Sequence, residues 1–190
     1  QALARASEER HIQWSFRVVR GEVALEVLAA ALEADLLTLG KASRPLTPRV
    51  RLGSTARAAA AGASCCVLLL QRDMDIRPPV LAIYDGTPSA RQVLVMAARL
   101  ARREEGDLTV LIVGDAPEMV QRLQDQASDL LRNLGVAARY RRLTEAGAAT
   151  LTHEVQAEGS GVLVLGSTVL SPEVLQMLLD EVGCPVLLVR

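Results

Sequence analysis

The stretch Val80-Leu-Ala-Ile-Tyr84-Asp85-Gly86-Thr87-Pro88-Ser89 decides the class of the fold. Its first five residues are apolar without alternation, which suits a strand buried on both faces of a parallel sheet. Asp85-Gly86 is typical of a turn, and Thr87 or Ser89 with Pro88 is typical of a helix start. Doubly wound folds bind ligands at the carboxyl ends of their strands, so Asp85 is also a candidate binding residue. Turn chemistry and ligand binding are compatible at this position.

Strand and helix patterns alternate on both sides of this stretch. The predicted strands are Ile12–Val19, Asp35–Leu39, Cys66–Leu70, Val80–Tyr84, Leu108–Val113, Ala137–Arg142, Val162–Leu165 and Pro185–Val189. The predicted helices include Glu22–Ala34, Ser89–Glu104 and Pro117–Leu134, each with an apolar stripe at helical spacing. Short connections between alternating strands and helices predict an α/β fold with a doubly wound parallel sheet of Rossmann-like type.

Composition limits the class of function. The chain has 190 residues, of which 50% are apolar and 2% aromatic, and its net charge is −1. Half-apolar content at this length supports a folded core, which excludes a disordered chain. Four aromatic residues and a neutral total leave little for stacking bases or holding a polyanion. We therefore expect no nucleic-acid partner.

The cysteines and the apolar runs bear on the compartment. Cys65, Cys66 and Cys184 form no CxxC pair, so a reduced, cytoplasmic location is the simplest interpretation. Adjacent cysteines in an apolar context are more often buried than redox-active. No apolar run reaches the ~18 residues of a membrane span. Because the first residue is Gln1, we expect the chain to be a portion or a processed form of a longer protein.

An internal repeat organises the chain. Aligning Gly21 with Gly147 brings Gly40 onto Gly166 without a gap, and Trp14 then falls on Tyr140. After these glycines the second copy is shorter by seven residues, because Gly40 and Cys65 are 25 apart and Gly166 and Cys184 are 18 apart. The pattern predicts a tandem repeat. Its units are residues 1–72, the C-terminal half of a first domain, then a linker at 73–78 and a complete second domain at 79–190.

The segment between Gly40 and Thr55 is a candidate phosphate loop. Gly40-Lys-Ala-Ser43, nine further residues and Gly53-Ser54-Thr55 lie between a strand and a helix. A glycine turn followed by a helix start offers backbone N–H groups and hydroxyls to an anion. Nearby cations are Arg44, Arg49, Arg51 and Arg57. The alternative is that Ser54 is an ordinary N-cap and the arginines keep a long loop soluble.

These features together resemble the universal stress protein family, whose domains have an adenine nucleotide alpha hydrolase-like fold. Its members begin with a strand ending in Asp-Gly-Ser, here Asp85-Gly86-Thr87. Its nucleotide-binding members carry Gly-x2-Gly-x9-Gly-Ser/Thr, which residues 40–55 match except that Ser43 replaces the second glycine. Cys184–Val189 and Cys65–Leu70 resemble the family's final strand. The resemblance covers nearly the whole chain as a tandem pair.

The resemblance implies a nucleotide site that neither unit completes. Gly40, Ser43, Gly53, Ser54 and Thr55 correspond to the family's phosphate loop, and Asp85 to its adenosine-side aspartate. The first unit lacks that aspartate, and the second lacks the loop, since Gly166-Ser167-Thr168 runs almost directly into a helix. We expect no certain cofactor and no tight ATP binding by 79–190, with ATP left open for the full-length protein.

The resemblance, together with the lack of catalytic motifs, implies a non-enzymatic protein for stress response or regulation. His11 and His153 are far apart in the repeat, and no catalytic triad or metal-ligand spacing occurs. Apolar final strands would aggregate if unpaired, so we expect Cys66–Leu70 and Pro185–Val189 to pair within the chain or in a homodimer. The resemblance leaves two alternatives. The chain is the cytoplasmic regulatory tail of a larger protein such as a membrane transporter, or an ATP-binding or ATP-hydrolysing member of the family.

Overall fold

The computed structural model describes residues 11–41, 52–71, 74–104, 106–159 and 161–190. Strands and helices alternate along the described chain. The strands are β1 (Leu36–Gly40), β2 (Cys66–Leu70), β3 (Val80–Tyr84), β4 (Leu108–Val113), β5 (Arg139–Leu143), β6 (Val162–Gly166) and β7 (Val186–Val189). The helices are α1 (Val23–Ala31), α2 (Ser54–Gly62), α3 (Pro88–Arg103), α4 (Pro117–Asn133), α5 (Ala148–Ala157) and α6 (Pro172–Glu181).

The seven strands form one sheet in the order β1-β2-β7-β6-β3-β4-β5. Every neighbouring pair is parallel except β2 and β7, which run antiparallel. The strand order reverses between β3 and β6, because the chain moves outward from β3 to β5 and returns to β6. The predicted α/β doubly wound class is confirmed, and most predicted strands and helices agree with the observed ones within about two residues, as expected for pattern-based boundaries.

Helices cover both faces of the sheet. On one face α3 and α4 bury alanine, valine and leucine side chains against β3, β4 and β6. On the other face α2, α5 and α6 pack on the alternate residues of the same strands. Strands β3 and β6 are buried along their whole length. This double burial is why their sequences are continuous apolar runs.

The β2–β7 ladder pairs residues that correspond to each other in the predicted sequence repeat. Leu68 lies opposite Leu187, Val67 opposite Leu188, and Leu69 opposite Val186. An offset of 119 residues, which places Cys65 on Cys184, also places Leu68 on Leu187. Each central leucine therefore faces its own counterpart, as at a two-fold contact. The expected pairing of these two strands occurs within the chain.

The predicted strand Ile12–Val19 is wrong, because these residues form no strand. All of its residues are exposed, including Phe16, which is 81% accessible. Its counterpart in the repeat is β5, which β4 and β3 separate from β6. The described residues contain no strands on the outer side of β1, where two would have to lie. Without a neighbour to accept its hydrogen bonds, the segment has no ladder to join.

Candidate functional site

Asp85 lies where the sheet of a doubly wound fold binds ligands. It follows the last residue of β3, next to the point at which the strand order reverses. Its Oδ1 accepts hydrogen bonds from the Thr87 backbone N–H at 3.0 Å and from Thr87 Oγ1 at 2.7 Å. Thr87 Oγ1 in turn accepts from the Ala90 N–H at 3.2 Å and caps α3. The carboxylate thus organises the turn and the helix start that the sequence predicts.

Gly86 allows α4 to pack close to this turn. Its φ is +83°, a left-handed value that side chains disfavour. A Cβ at this position would lie 2.4 Å from Cδ2 of Leu123 in α4. The backbone angle therefore favours glycine here, and a side chain would in addition have to displace the terminal methyl group of Leu123.

The turn after β6 is short and closed by its own chain. The Ser167 N–H donates to the Val189 carbonyl at 3.0 Å, and the Val169 N–H donates to the Gly166 carbonyl at 3.3 Å. Leu170 is buried, and Ser171 Oγ accepts from the Val174 N–H at 3.3 Å as the N-cap of α6. Because these backbone hydrogen bonds and the buried Leu170 close the turn, it has no free loop to surround a phosphate.

The structure describes the two ends of the candidate loop. Gly40 ends β1, and the Gly53 N–H donates to the Lys41 carbonyl at 2.7 Å. The expectation that Ser54 is the N-cap of α2 is wrong, because Gly53 is the N-cap and Ser54 is the first helical residue. Gly53 offers no side chain to the first turn, which contains no acidic residue. Ser43, Arg44, Arg49 and Arg51 lie outside the described residues.

Asp180 of α6 occupies the approach to α2. Its Oδ1 accepts from the Leu52 N–H at 2.8 Å and lies 3.7 Å from a guanidinium nitrogen of Arg57. A carboxylate next to a helix N-terminus satisfies the positive end of the helix dipole. The same carboxylate repels phosphate, so Asp180 makes the start of α2 a poor phosphate-binding site. No local signal in the sequence places Asp180 here, since 128 residues separate it from Leu52.

Lys41, inside the candidate loop, faces the protein interior. It is 2% exposed, and its Nζ donates to the Val182 carbonyl at 2.5 Å. Burial lowers the pKa of Lys41 to about 8, although Cys184 and Asp180 nearby oppose the shift. Burial likewise raises the pKa of the Cys184 thiol to about 11. Lys41 therefore joins β1 to the end of α6 and is not directed at a ligand.

The two parts of the candidate nucleotide set do not come together. Strands β1 and β2 run opposite to the other five, because the β2–β7 ladder is antiparallel. The carboxyl end of β1 therefore lies on one side of the sheet, along the direction of the strands, and Asp85 lies on the opposite side, where β3 and its neighbours end. Three strands, β2, β7 and β6, also separate β1 from β3. One nucleotide cannot contact both Asp85 and Gly53.

Metal-binding clusters and membrane-spanning helices are absent from the described part of the chain. Its residues include no group of three or more His, Cys, Asp or Glu side chains placed to hold a metal ion. None of the described helices combines the length and the apolar character needed to cross a membrane. Cys65, Cys66 and Cys184 are free thiols.

Comparison with known proteins confirms the resemblance seen in the sequence. Residues 1–71 match the Universal stress protein family. No curated protein matches the chain. The fold is similar to that of a universal stress protein from Archaeoglobus fulgidus DSM 4304, with a TM-score of 0.81 and 15% identity over 100% of this chain and 75% of that one.

Two similar structures contain nucleotides. One is a universal stress protein from Archaeoglobus fulgidus in complex with dAMP, at 16% identity and a TM-score of 0.52 over 61% of this chain and 100% of that one. The other is a universal stress protein in complex with cAMP, at 18% identity and a TM-score of 0.52 over 58% of this chain and 94% of that one. At these identities the likeness concerns the fold alone.

Proposed function

We propose that this chain, whose residues 1–71 match the universal stress protein family and whose whole fold is similar to solved members, is a non-enzymatic regulatory module. It acts by binding and by pairing its two units, and it has at most a degenerate nucleotide site. We further propose that the units are residues 1–72 and 79–190, joined by a linker at 73–78. One observation carries the proposal. The antiparallel β2–β7 ladder separates Asp85 from the Gly53 helix start and leaves each part of the site alone.

The contacts around Asp85 and around the start of α2 support the proposal that any nucleotide binding is weak. Asp85 Oδ1 is occupied by Thr87, and the turn after Gly166 is closed by backbone hydrogen bonds. At the other edge Asp180 already places a carboxylate beside the start of α2. Phosphates bind where helix N–H groups are free and the local charge is positive. Neither edge provides both conditions among the described residues.

The ladder also favours pairing within one chain. A final strand that is already hydrogen-bonded to its counterpart has no free edge for another copy. We therefore propose that β2 and β7 satisfy each other, and that these strands do not form a homodimer interface. The free thiols of the three cysteines are consistent with a reducing compartment, for which we propose the cytoplasm.

Nucleotide binding in the longer protein is the second candidate function. Two proteins of similar fold are complexes with dAMP and cAMP, and this chain retains Asp85 at the point where the strand order reverses. A ligand there would contact the free oxygen of Asp85, since only Oδ1 is engaged by Thr87.

Thermal-shift titrations of the 190-residue chain with ATP, AMP and cAMP test both candidates. The first candidate predicts no stabilisation by ATP at micromolar concentrations, since a ligand at a hundred times its Kd would contribute about 2.7 kcal/mol. Mass spectrometry of the denatured protein checks for a nucleotide retained from the cell. Micromolar stabilisation by any of the three would contradict the first candidate, and its loss in Asp85→Ala would place that nucleotide at β3 and support the second.

A further inference from the structure

A cavity of about 170 Å³ lies between α2 and α6, on the face of the sheet behind the β2–β7 ladder. Most of its wall is apolar, and Leu52, Ala60, Leu175 and Leu179 contribute to it. It is distinct from Asp85, which lies at the end of β3. An apolar cavity of this size accommodates a molecule of about six to eight non-hydrogen atoms, since ~150 Å³ holds benzene.

Unused hydrogen-bond donors lie in the wall of this cavity. Gln176 Nε2 and Arg190 Nε are shielded from solvent and have no hydrogen-bond partner in the part of the chain that the structure describes. Both residues line the cavity, as does Ser167, which carries a hydroxyl. A buried donor without an acceptor costs about 1–3 kcal/mol. Two such donors at one cavity indicate that an acceptor from outside the described residues belongs there.

The charge near these donors is positive. Arg190 donates to the Ala59 and Ala60 carbonyls at 3.3 and 2.6 Å, and within the described ranges no carboxylate lies at salt-bridge distance from it. The other cation of the cavity, Arg57, lies 3.7 Å from Asp180 and is already compensated. The uncompensated charge is therefore that of Arg190, and an anionic acceptor would neutralise it.

The two-fold relation of the units explains why the cavity exists. The offset of 119 residues that pairs Leu68 with Leu187 places Ala60 on Leu179 and Arg57 on Gln176. Helix α2 thus presents small alanines where α6 presents leucines, and the facing surfaces do not fill the space between them. The replacement of arginine by glutamine leaves an uncharged donor beside Arg190.

We propose that this cavity binds a small aliphatic carboxylate, with the carboxylate at Ser167, Gln176 and Arg190 and the hydrocarbon part between α2 and α6. The apolar wall accounts for the hydrocarbon, and the two unused N–H donors with one cation account for the anion. Pockets for larger ligands measure about 300–1,000 Å³, so a whole nucleotide is too large for this one. The ligand contacts both units and stabilises their association.

The test uses isovalerate as the probe, added to the 190-residue chain and followed by ¹⁵N NMR at the Gln176 side-chain amide and the Arg190 Nε–H. We expect isovalerate to shift both signals and to bind at least tenfold more tightly than isovaleramide, which has the same shape without the charge, a difference of about 1.4 kcal/mol. Gln176→Leu removes one donor and Ala60→Ile fills the cavity. Each should weaken binding at least tenfold.

Gln92→Leu, at an exposed position of α3, is the matched control and should bind as the parent chain does. Three results would overturn the proposal. They are equal binding of isovalerate and isovaleramide, tighter binding of inorganic phosphate than of isovalerate, and no shift of either signal at about 10 mM isovalerate, where a ligand with a millimolar Kd would occupy most sites. If Ala60→Ile does not fold, Gln176→Leu and the isovaleramide comparison decide the question.

Discussion

Leu68 and Leu187 face each other as Cα partners at the centre of the antiparallel ladder between β2 and β7. Both side chains are buried, on the face of the sheet that α3 and α4 cover. They are also counterparts under the 119-residue offset of the predicted repeat, so this contact joins a leucine to its predicted equivalent. The only antiparallel pairing among the described strands thus joins the two segments that the sequence predicts to be final strands of separate units.

Replacement of this leucine pair tests how strongly the units depend on each other. We expect Leu68→Ala and Leu187→Ala each to lower the free energy of unfolding by about 2–4 kcal/mol, as for other buried leucines. Because the side chains are cross-strand neighbours, the double variant should deviate from additivity by at least about 0.5 kcal/mol. Urea denaturation measures all four proteins. The control is the cycle of Leu131→Ala with Leu187→Ala. If the two cycles deviate from additivity by the same amount, the predicted coupling between Leu68 and Leu187 is wrong.

Lys41 makes stability depend on pH in an unusual direction. Its pKa falls from 10.5 to about 8 on folding, so above pH 8 the unfolded chain binds more protons and stability rises with pH. Cys184, whose pKa rises from 9.0 to about 11, acts in the opposite direction mainly above pH 9. We therefore expect a net gain of about 0.5 kcal/mol between pH 8 and 9. Denaturation of Lys41→Met across this interval should lack the gain, and a gain that persists would exclude Lys41 as its source.

Removal of the Asp180 charge should improve anion binding at the start of α2. Asp180→Asn retains an acceptor for the Leu52 N–H but removes the carboxylate that repels phosphate. We expect ATP affinity to rise by about threefold to tenfold, as for a charge change worth about 1 kcal/mol near a helix end. Isothermal titration at low salt measures the change. Asp129→Asn, at an exposed site on α4, should leave the affinity unaltered, and an equal rise in both variants would show a general charge effect.

Gly86 and Gly135 form a matched pair for separating backbone strain from packing. Both have positive φ, +83° and +69°, but a Cβ on Gly86 would meet Leu123 at 2.4 Å, and one on Gly135 meets nothing within 4 Å. We expect Gly135→Ala to cost about 1 kcal/mol, the strain term alone. Gly86→Ala should cost at least about 1 kcal/mol more through the clash with Leu123. Thermal unfolding of both variants measures the two costs. Equal costs would mean that the backbone angle alone matters and would contradict a clash with Leu123.

The open side of β1 should make this 190-residue chain self-associate. β1 is the edge of the sheet, and Leu36 within it is exposed, as are the apolar residues of 12–19. Exposed apolar edges pair with other chains unless a charge prevents it. Light scattering should therefore show association that increases with concentration. Thr38→Lys, which places a charge on this strand, should suppress it, and Thr144→Lys, at an exposed position after β5, should not.

Most strands and helices could be predicted from the sequence, because strands buried on both faces have continuous apolar sequences. Val80–Tyr84, Leu108–Val113 and Cys66–Leu70 have the same bounds in the sequence prediction and in the structure. Ile12–Val19 alternates apolar and polar residues, a pattern that also predicts a strand, and it forms no strand. Apolar pattern reports the tendency of a segment to be buried, whereas a strand also needs a neighbouring strand to complete its hydrogen bonds.

In the candidate site too, contacts between nearby residues were predictable and contacts between distant residues were not. Asp85 and Thr87 have the local turn and capping roles that their sequence positions indicate, because such contacts span only two or three residues. Lys41 and Asp180 were missed, since their partners are 141 and 128 residues away along the chain. A lysine after a glycine and an aspartate on a helix carry no signal that they meet across a sheet.

By itself, the sequence determined that this is an α/β chain of strand–helix units with an apolar core that resembles universal stress proteins, and it predicted that the candidate nucleotide residues fall into two incomplete sets. Only the tertiary structure decided that the two incomplete sets lie at opposite edges of one sheet, and that α2 and α6 enclose a cavity with unused donors. The reason is physical. Strand and helix formation depends on local pattern and burial, whereas strand direction across the β2–β7 ladder and the fit of facing helices depend on contacts between distant residues.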